Sequence, residues 1–201
     1  MKIAALILAA GRSTRMGSHK LLEVLGDRPL VRHVVDAALQ SYARPVFVVA
    51  GHNEDAIRAT LSSSDVSLVI NPEFAEGLSS SLKVGVRALP SSIDAVIVLL
   101  GDMPLITHIL INQMIDVFNA SPHASALVPT YQGEWGNPVL LSRKLFPEIE
   151  KLSGDVGARK ILHAHRADVI EVSVTSDDVL VDLDTPEALA KARGIARPSG
   201  S

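Results

Sequence analysis

Continuous apolar runs alternate along this chain with stretches in which apolar residues recur every three or four positions. Ile3 to Leu8 is an apolar run that ends abruptly in small residues, and it reads as a buried strand. A loop follows, carrying Gly11, Arg12, Arg15, Gly17 and Lys20, and an amphipathic helix is expected after it. Pro29 sits near a helix start, where its missing N–H does no harm. Leu30, Val31, Val34, Val35, Ala38 and Leu39 then form one helical face. Pro45 to Ala50 and Val66 to Ile70 read as strands, with a short helix from Asn53 to Leu61 between them. Leu78, Leu82, Val86 and Leu89 mark a helix that stops at Pro90. Ala95 to Leu100 is the clearest strand, being continuous, apolar and β-branched.

Thr107 is placed to cap a helix ending near Asn119. Ala126 to Thr130 is a strand, Tyr131 to Pro138 a turn or hairpin, and Val139 to Leu141 a strand again. Helices are expected from about Arg143 and from about Gly157 to His165, and strands at Val169 to Val174 and Val179 to Leu183. Thr185-Pro186-Glu187 has the cap, proline and acid that open a last helix. Strands alternating with helices predict an α/β fold: a mostly parallel, Rossmann-like sheet with helices on both faces and a small β-hairpin insertion. One domain is expected over residues 1–195, with a frayed tail at 196–201. Ligands bind such sheets beyond the carboxyl ends of the strands. The loops after Leu8, Ala50, Leu100 and Leu183 are therefore the candidate site.

Composition narrows the class. Hydrophobic residues make up 47% of the 201 positions and aromatics only 3%, so the core must be aliphatic, as in parallel sheets. A net charge of −3 gives no basic face for nucleic acid. The absence of cysteine excludes disulfides, thiolate metal sites and a thiol nucleophile. No segment approaches the roughly 20 apolar residues of a membrane span. The opening apolar run lacks a convincing cleavage site. A cytoplasmic protein is expected.

The strand–loop–helix at the start carries the most chemistry. Backbone N–H groups of such a loop can curl round a phosphate while Arg and Lys neutralise it. Gly11 and Gly17 are expected to admit close approach and positive φ. The spacing G-x5-G-x2-K is neither the dinucleotide G-x-G-x-x-G nor the P-loop pattern. Gly101-Asp102-Met103-Pro104 sets a carboxylate just past the strongest strand. Asp182 and Asp184 alternate at the end of the last expected strand, on one face. Mg²⁺ takes one or two carboxylates together with substrate phosphates, which is what these strand ends offer. His33, His108, His123, His163 and His165 are scattered without a third ligand at zinc spacing. Trp135 could stack on a ligand or pack within its turn.

LAAGRSTRMGSHKLL, NPEFAEGLSSSL, GDMPL, GDVGAR and DLDTPEAL occur in an order that resembles the MobA-like nucleotidyltransferases, over almost the whole length from Ile3 to about Ala192. Within that family NPEFAEGLSSSL and GDVGAR are most similar to the molybdenum cofactor cytidylyltransferase group. The guanylyl relatives usually carry a Gly-Gly loop with Asp before the Lys, where this chain has Ala10-Gly11 and His19-Lys20. One departure concerns Gly136-Asn137-Pro138, where the cytidylyl group usually shows His in place of Asn137.

The resemblance implies a reaction in which the terminal phosphate of molybdopterin attacks the α-phosphorus of CTP and pyrophosphate leaves. It implies Mg²⁺ on Asp102 and Asp184, with Arg15 and Lys20 neutralising the β- and γ-phosphates and Arg12 a weaker contributor. Leu8, Ala9, Ala10, Gly11, Gly17 and Gly101 would hold the nucleotide through backbone groups. Asn71, Gly77, Ser79 and Ser80 would complete the base pocket, and Asn137, Arg159 and Lys160 would meet the acceptor. Alternatives of the same fold are a guanylyltransferase or a sugar- or polyol-phosphate nucleotidyltransferase. An alternative of another class is a non-catalytic nucleotide or cofactor binder serving a molybdenum hydroxylase.

Overall fold

A computed structural model describes residues 1–11, 20–183, 185, 188–190 and 192. Its first strand, β1 (Ile3–Ala9), is buried at every position. Alternation divides that strand between two cores. Ile3, Ala5, Ile7 and Ala9 face the side packed by α1 (Leu30–Gln40) and α4 (His108–Asn119), through Val31, Val34, Val35, Ile111 and Met114. Ala4, Leu6 and Leu8 face the side packed by α3 (Leu78–Ala88), α5 (Phe146–Ile149) and α6 (Arg159–Ala164), through Leu82, Val86, Ile149 and Leu162. A strand buried on both faces needs the unbroken apolar run read from the sequence.

β1 lies between β4 (Val46–Ala50) and β6 (Ala95–Leu100), parallel to both. β5 (Ser67–Ile70) extends this half beyond β4, and α2 (Glu54–Thr60) connects the two. On the other side β9 (Val139–Ser142) pairs antiparallel with β6 and with β7 (Ala126–Tyr131), and β10 (Val169–Ser173) closes the edge parallel to β7. β8 (Glu134–Trp135) folds back on β7 across a tight turn in which Gln132 and Gly133 both have positive φ. The spatial order is β10-β7-β9-β6-β1-β4-β5, and within this sheet only β8 and β9 run against the rest. The expected α/β architecture, with helices on both faces and a hairpin insertion, is the one observed.

The helix expected after the first loop starts after Pro29, as read; before it come a 3-10 turn at Lys20–Leu22 and a small antiparallel ribbon, β2 (Val24–Leu25) and β3 (Arg28–Pro29), which the sequence reading did not include. Gly26, at φ +67°, turns the chain there. Leu25 and Leu30 thereby join Leu183, Leu189 and Ala192 in a third apolar cluster. The strand expected at Val179–Leu183 is instead a 3-10 turn over Asp177–Leu180 and an irregular continuation. The Ser176 hydroxyl accepts from Asp178 N–H to start that turn. The segment forms no ladder because its backbone bonds to loops: Val179 carbonyl accepts from Asn137 N–H at 2.8 Å, and Leu183 N–H donates to Asp102 carbonyl at 3.1 Å. Asp182 is therefore not a strand residue, and Asp184 lies outside the described residues.

Among the described residues, no helix is long and apolar enough to cross a membrane.

Candidate active site

Because β1, β4, β5 and β6 are parallel, their carboxyl ends form one rim. Ala10, Gly51, Asn71 and Gly101-Asp102 follow those strands directly. Register places Leu8 opposite both Val49 and Leu100, and Gly101 N–H donates to the Leu8 carbonyl at 3.0 Å. Leu8, Ala9 and Ala10 are buried, and Ala10 sits against the Gly51–Phe74 contact. Gly11 has open space around it and does not adopt positive φ, contrary to expectation: the chain leaves β1 without a left-handed turn at that residue. Arg12, Arg15 and Gly17 lie outside the described residues.

The charged centre of the rim is a pair. Lys20, at the start of its 3-10 turn, is only 5% exposed, and its Nζ lies 2.8 Å from Asp102 Oδ2. An ammonium so deeply buried requires a compensating anion, and Asp102 supplies it. The other carboxylate oxygen, Asp102 Oδ1, is buried and has no hydrogen-bond partner among the described residues. Leaving such an oxygen unsatisfied is costly unless something outside the protein binds it. A hard divalent cation is the ligand a buried carboxylate oxygen suits, so Asp102 fits the metal role. No cluster of three or more His, Cys, Asp or Glu residues with metal-holding geometry occurs among the described residues.

Asn71, fully buried after β5, orders the next wall of the rim. Its Nδ2 donates to Ser80 Oγ at 2.9 Å and to Ser81 Oγ at 3.0 Å, and its Oδ1 accepts from Glu73 N–H at 3.0 Å. Ser80 Oγ in turn donates to the carbonyls of Glu73 and Gly77. These polar side chains thus fix the Asn-Pro turn and the first turn of α3. Buried Ser79 presents its N–H to the Gly154 carbonyl at 3.3 Å.

The GDVGAR segment clamps this same helix start, a convergence that sequence spacing did not reveal. Gly77 has φ +100°, and a Cβ there would lie 2.5 Å from Gly154 C, so only glycine lets the two loops cross. Asp155 Oδ1 accepts from Leu78 N–H at 3.3 Å, taking one of the unpaired donors at the start of α3. Asp155 is a residue the sequence reading missed; its only signal was the Gly-Asp pair inside the motif.

The residues assigned to the acceptor gather around β8. Arg159 Nη2 donates to Trp135 carbonyl at 2.8 Å, and Asn137, two residues further, is held by Val179. A Cβ on Gly136 would lie 2.5 Å from Val179 carbonyl oxygen, so this loop and the 179–183 segment are in close contact. Lys160 is exposed on α6. Trp135 is packed: it stacks on His163 with ring centroids 4.9 Å apart, lies under the Arg166 guanidinium, and its Nε1 donates to Glu171 Oε1 at 2.8 Å. Its ring is used by protein contacts. His165 pairs with Glu148 at 2.6 Å, far in role from any metal cluster.

A doubly wound sheet with a lysine–carboxylate pair at its carboxyl rim is the frame of a nucleotide-handling enzyme. Residues 5–169 match the MobA-like NTP transferase domain, and the chain belongs to that family; it is a nucleotidyltransferase. The chain is 25% identical over 194 residues to the molybdenum cofactor cytidylyltransferase of Escherichia coli K12, covering 95% of each. Among solved structures it is similar to Rv0371c of Mycobacterium tuberculosis H37Rv, with 28% identity and a TM-score of 0.85 over 96% of this chain and 98% of that one. The manganese complex of Rv0371c superposes with a TM-score of 0.79 at 27% identity, over 96% and 99% of the two chains.

Proposed function

We propose that the protein transfers CMP from CTP to the terminal phosphate of molybdopterin, with Mg²⁺, releasing pyrophosphate. The observation that carries this reading is the buried Lys20–Asp102 pair with its unsatisfied Asp102 Oδ1, set where β1 and β6 end together. The likeness to the cytidylyltransferase of Escherichia coli, which extends over nearly all of both chains, supports the choice of nucleotide and acceptor.

The nucleophile is already an anion, so no general base is required. The work lies in bringing two anions together in line and in stabilising the departing pyrophosphate. Lys20 and Arg15 neutralise the β- and γ-phosphates, with Arg12 a weaker contributor. Backbone groups of Leu8, Ala9, Ala10, Gly11, Gly17 and Gly101 hold the nucleotide, and the small alanine and glycine side chains let it approach. Asn71, Gly77, Ser79 and Ser80 shape the base pocket; Asn71 does so through the serines it binds. Asn137, Arg159 and Lys160 receive the acceptor, with Arg159 also bracing the Trp135 backbone. A divalent cation held by Asp102 and Asp184 supplies Lewis-acid polarisation of the α-phosphate when bound.

The test is pyrophosphate release from CTP and from GTP, with and without molybdopterin, in Mg²⁺ and in chelator. Release that needs CTP, molybdopterin and the divalent ion is expected. Equal release with GTP, or none with molybdopterin, refutes the reading.

A further inference from the structure

We propose that Lys20 is the resident counter-ion of Asp102 in the nucleotide-free protein, and that it keeps divalent metal off that carboxylate until a triphosphate draws the ammonium away. The inference deepens the proposed function and rests on its assignment of Asp102 as a metal ligand. The geometry makes the case. Lys20 Nζ occupies one side of the carboxylate at 2.8 Å, and the ammonium is almost wholly shielded from water. The other oxygen, Asp102 Oδ1, is buried and unpartnered, so a cation reaching it would share one carboxylate with the ammonium. At that spacing a dication and an ammonium repel strongly, since neither is screened by solvent in a buried site. The ion and the ammonium would compete for the charge of the same carboxylate.

The same geometry explains how the block is lifted. Phosphate oxygens at the rim offer Lys20 a better-charged partner than one carboxylate, and they bring ligands of their own for the metal. The ammonium then moves from carboxylate to phosphate, and Asp102 gains a full charge to offer the ion. Metal and nucleotide therefore enter together, and the ion does not load in advance. The Asp102 loop itself stays fixed while this happens, because its backbone carbonyl is held by Leu183 N–H.

The experiment is a Mn²⁺ titration of nucleotide-free protein, read by the loss of the free-ion electron paramagnetic resonance signal. Lys20→Met and Lys20→Gln are compared with the unaltered chain. Lys20→Gln keeps an N–H donor for Asp102 Oδ2, so it serves even if burying an unpaired carboxylate unfolds the Met variant. Both neutral variants are expected to bind one Mn²⁺ at least about tenfold more tightly than the unaltered protein. Adding Asp102→Asn should abolish the gain, and Lys20→Arg, which retains the charge, should show none. Neutral variants that bind no more tightly, a gain that survives Asp102→Asn, or an equal gain in Lys20→Arg overturns the proposal. No nucleotide is present, so failure here is distinct from failure of the pyrophosphate test.

Discussion

The two sides of the rim are built by different physics. On the β1–β6 side, regular parallel strands end together, and one largely buried charge pair, Lys20–Asp102, lies between them. On the β7–β8 side, irregular loops are fastened to one another by backbone hydrogen bonds, glycine crossings and a packed indole. The first side is precise because a sheet sets the position of its strand ends. The second is precise only because several loops, distant in sequence, brace each other. Damage to the first should therefore remove chemistry, whereas damage to the second should first loosen structure.

Asp102→Ala gives the largest effect and the sharpest test of that contrast. Pyrophosphate release is expected to fall by about 10²–10³-fold or more, the range typical of a lost transition-state charge partner. The substitution also takes the Asp102 carboxylate away from the buried Lys20 ammonium. Stability should therefore drop by about 2–3 kcal/mol, below the cost for a fully buried pair because Asp102 is partly exposed. Denaturant unfolding measures the second effect separately from the first.

Gly77→Ala probes the braced side. Its Cβ would meet Gly154 backbone at 2.5 Å at a φ that disfavours any other residue. A loss of about 2 kcal/mol or more is expected in a denaturant midpoint, with activity reduced mainly through substrate KM. If kcat instead collapses at saturating substrate with stability intact, the division between the two sides is wrong.

Trp135→Phe should have the smallest effect. It keeps most of the stacking surface but leaves Glu171 without its indole donor, at a cost of about 1 kcal/mol in unfolding. A large loss of acceptor affinity without loss of stability would show that the ring faces substrate after all.

This contrast also explains what the sequence could reveal. Ile3–Ala9, Val46–Ala50 and Ala95–Leu100 are legible because burial on both faces demands unbroken apolar runs, and the residues just beyond them fall on the rim by topology alone. Lys20 and Asp102 could thus be placed near each other, although their direct pairing could not. Val179–Leu183 has the composition of a strand, but its backbone partners are Asn137 and Asp102, more than 40 and 80 residues away. Local pattern carries no information about such partners. The ribbon at Val24–Pro29 went unread because each of its strands has two residues, too few for a period to show, and Leu25 and Leu30 are apolar for the cluster they share with Leu183 and Leu189. The crossing of Gly77 with Gly154 was equally invisible, because a glycine in sequence does not say which backbone passes over it.

The reversed strand β9 has a consequence of its own. Since Val139 lies opposite Val98, the chain enters β9 at the end of the sheet where β6 finishes. Residues 131–138 therefore form an excursion that leaves from and returns to the working end, next to Asp102, while the four parallel strands beyond β9 never see its length or composition. Its exposed turn, residues 132–134, can change in length while Trp135 and Gly136 stay braced. On the proposed acceptor role of Asn137, changes confined to that excursion alter acceptor choice and leave the parallel strand ends as they were.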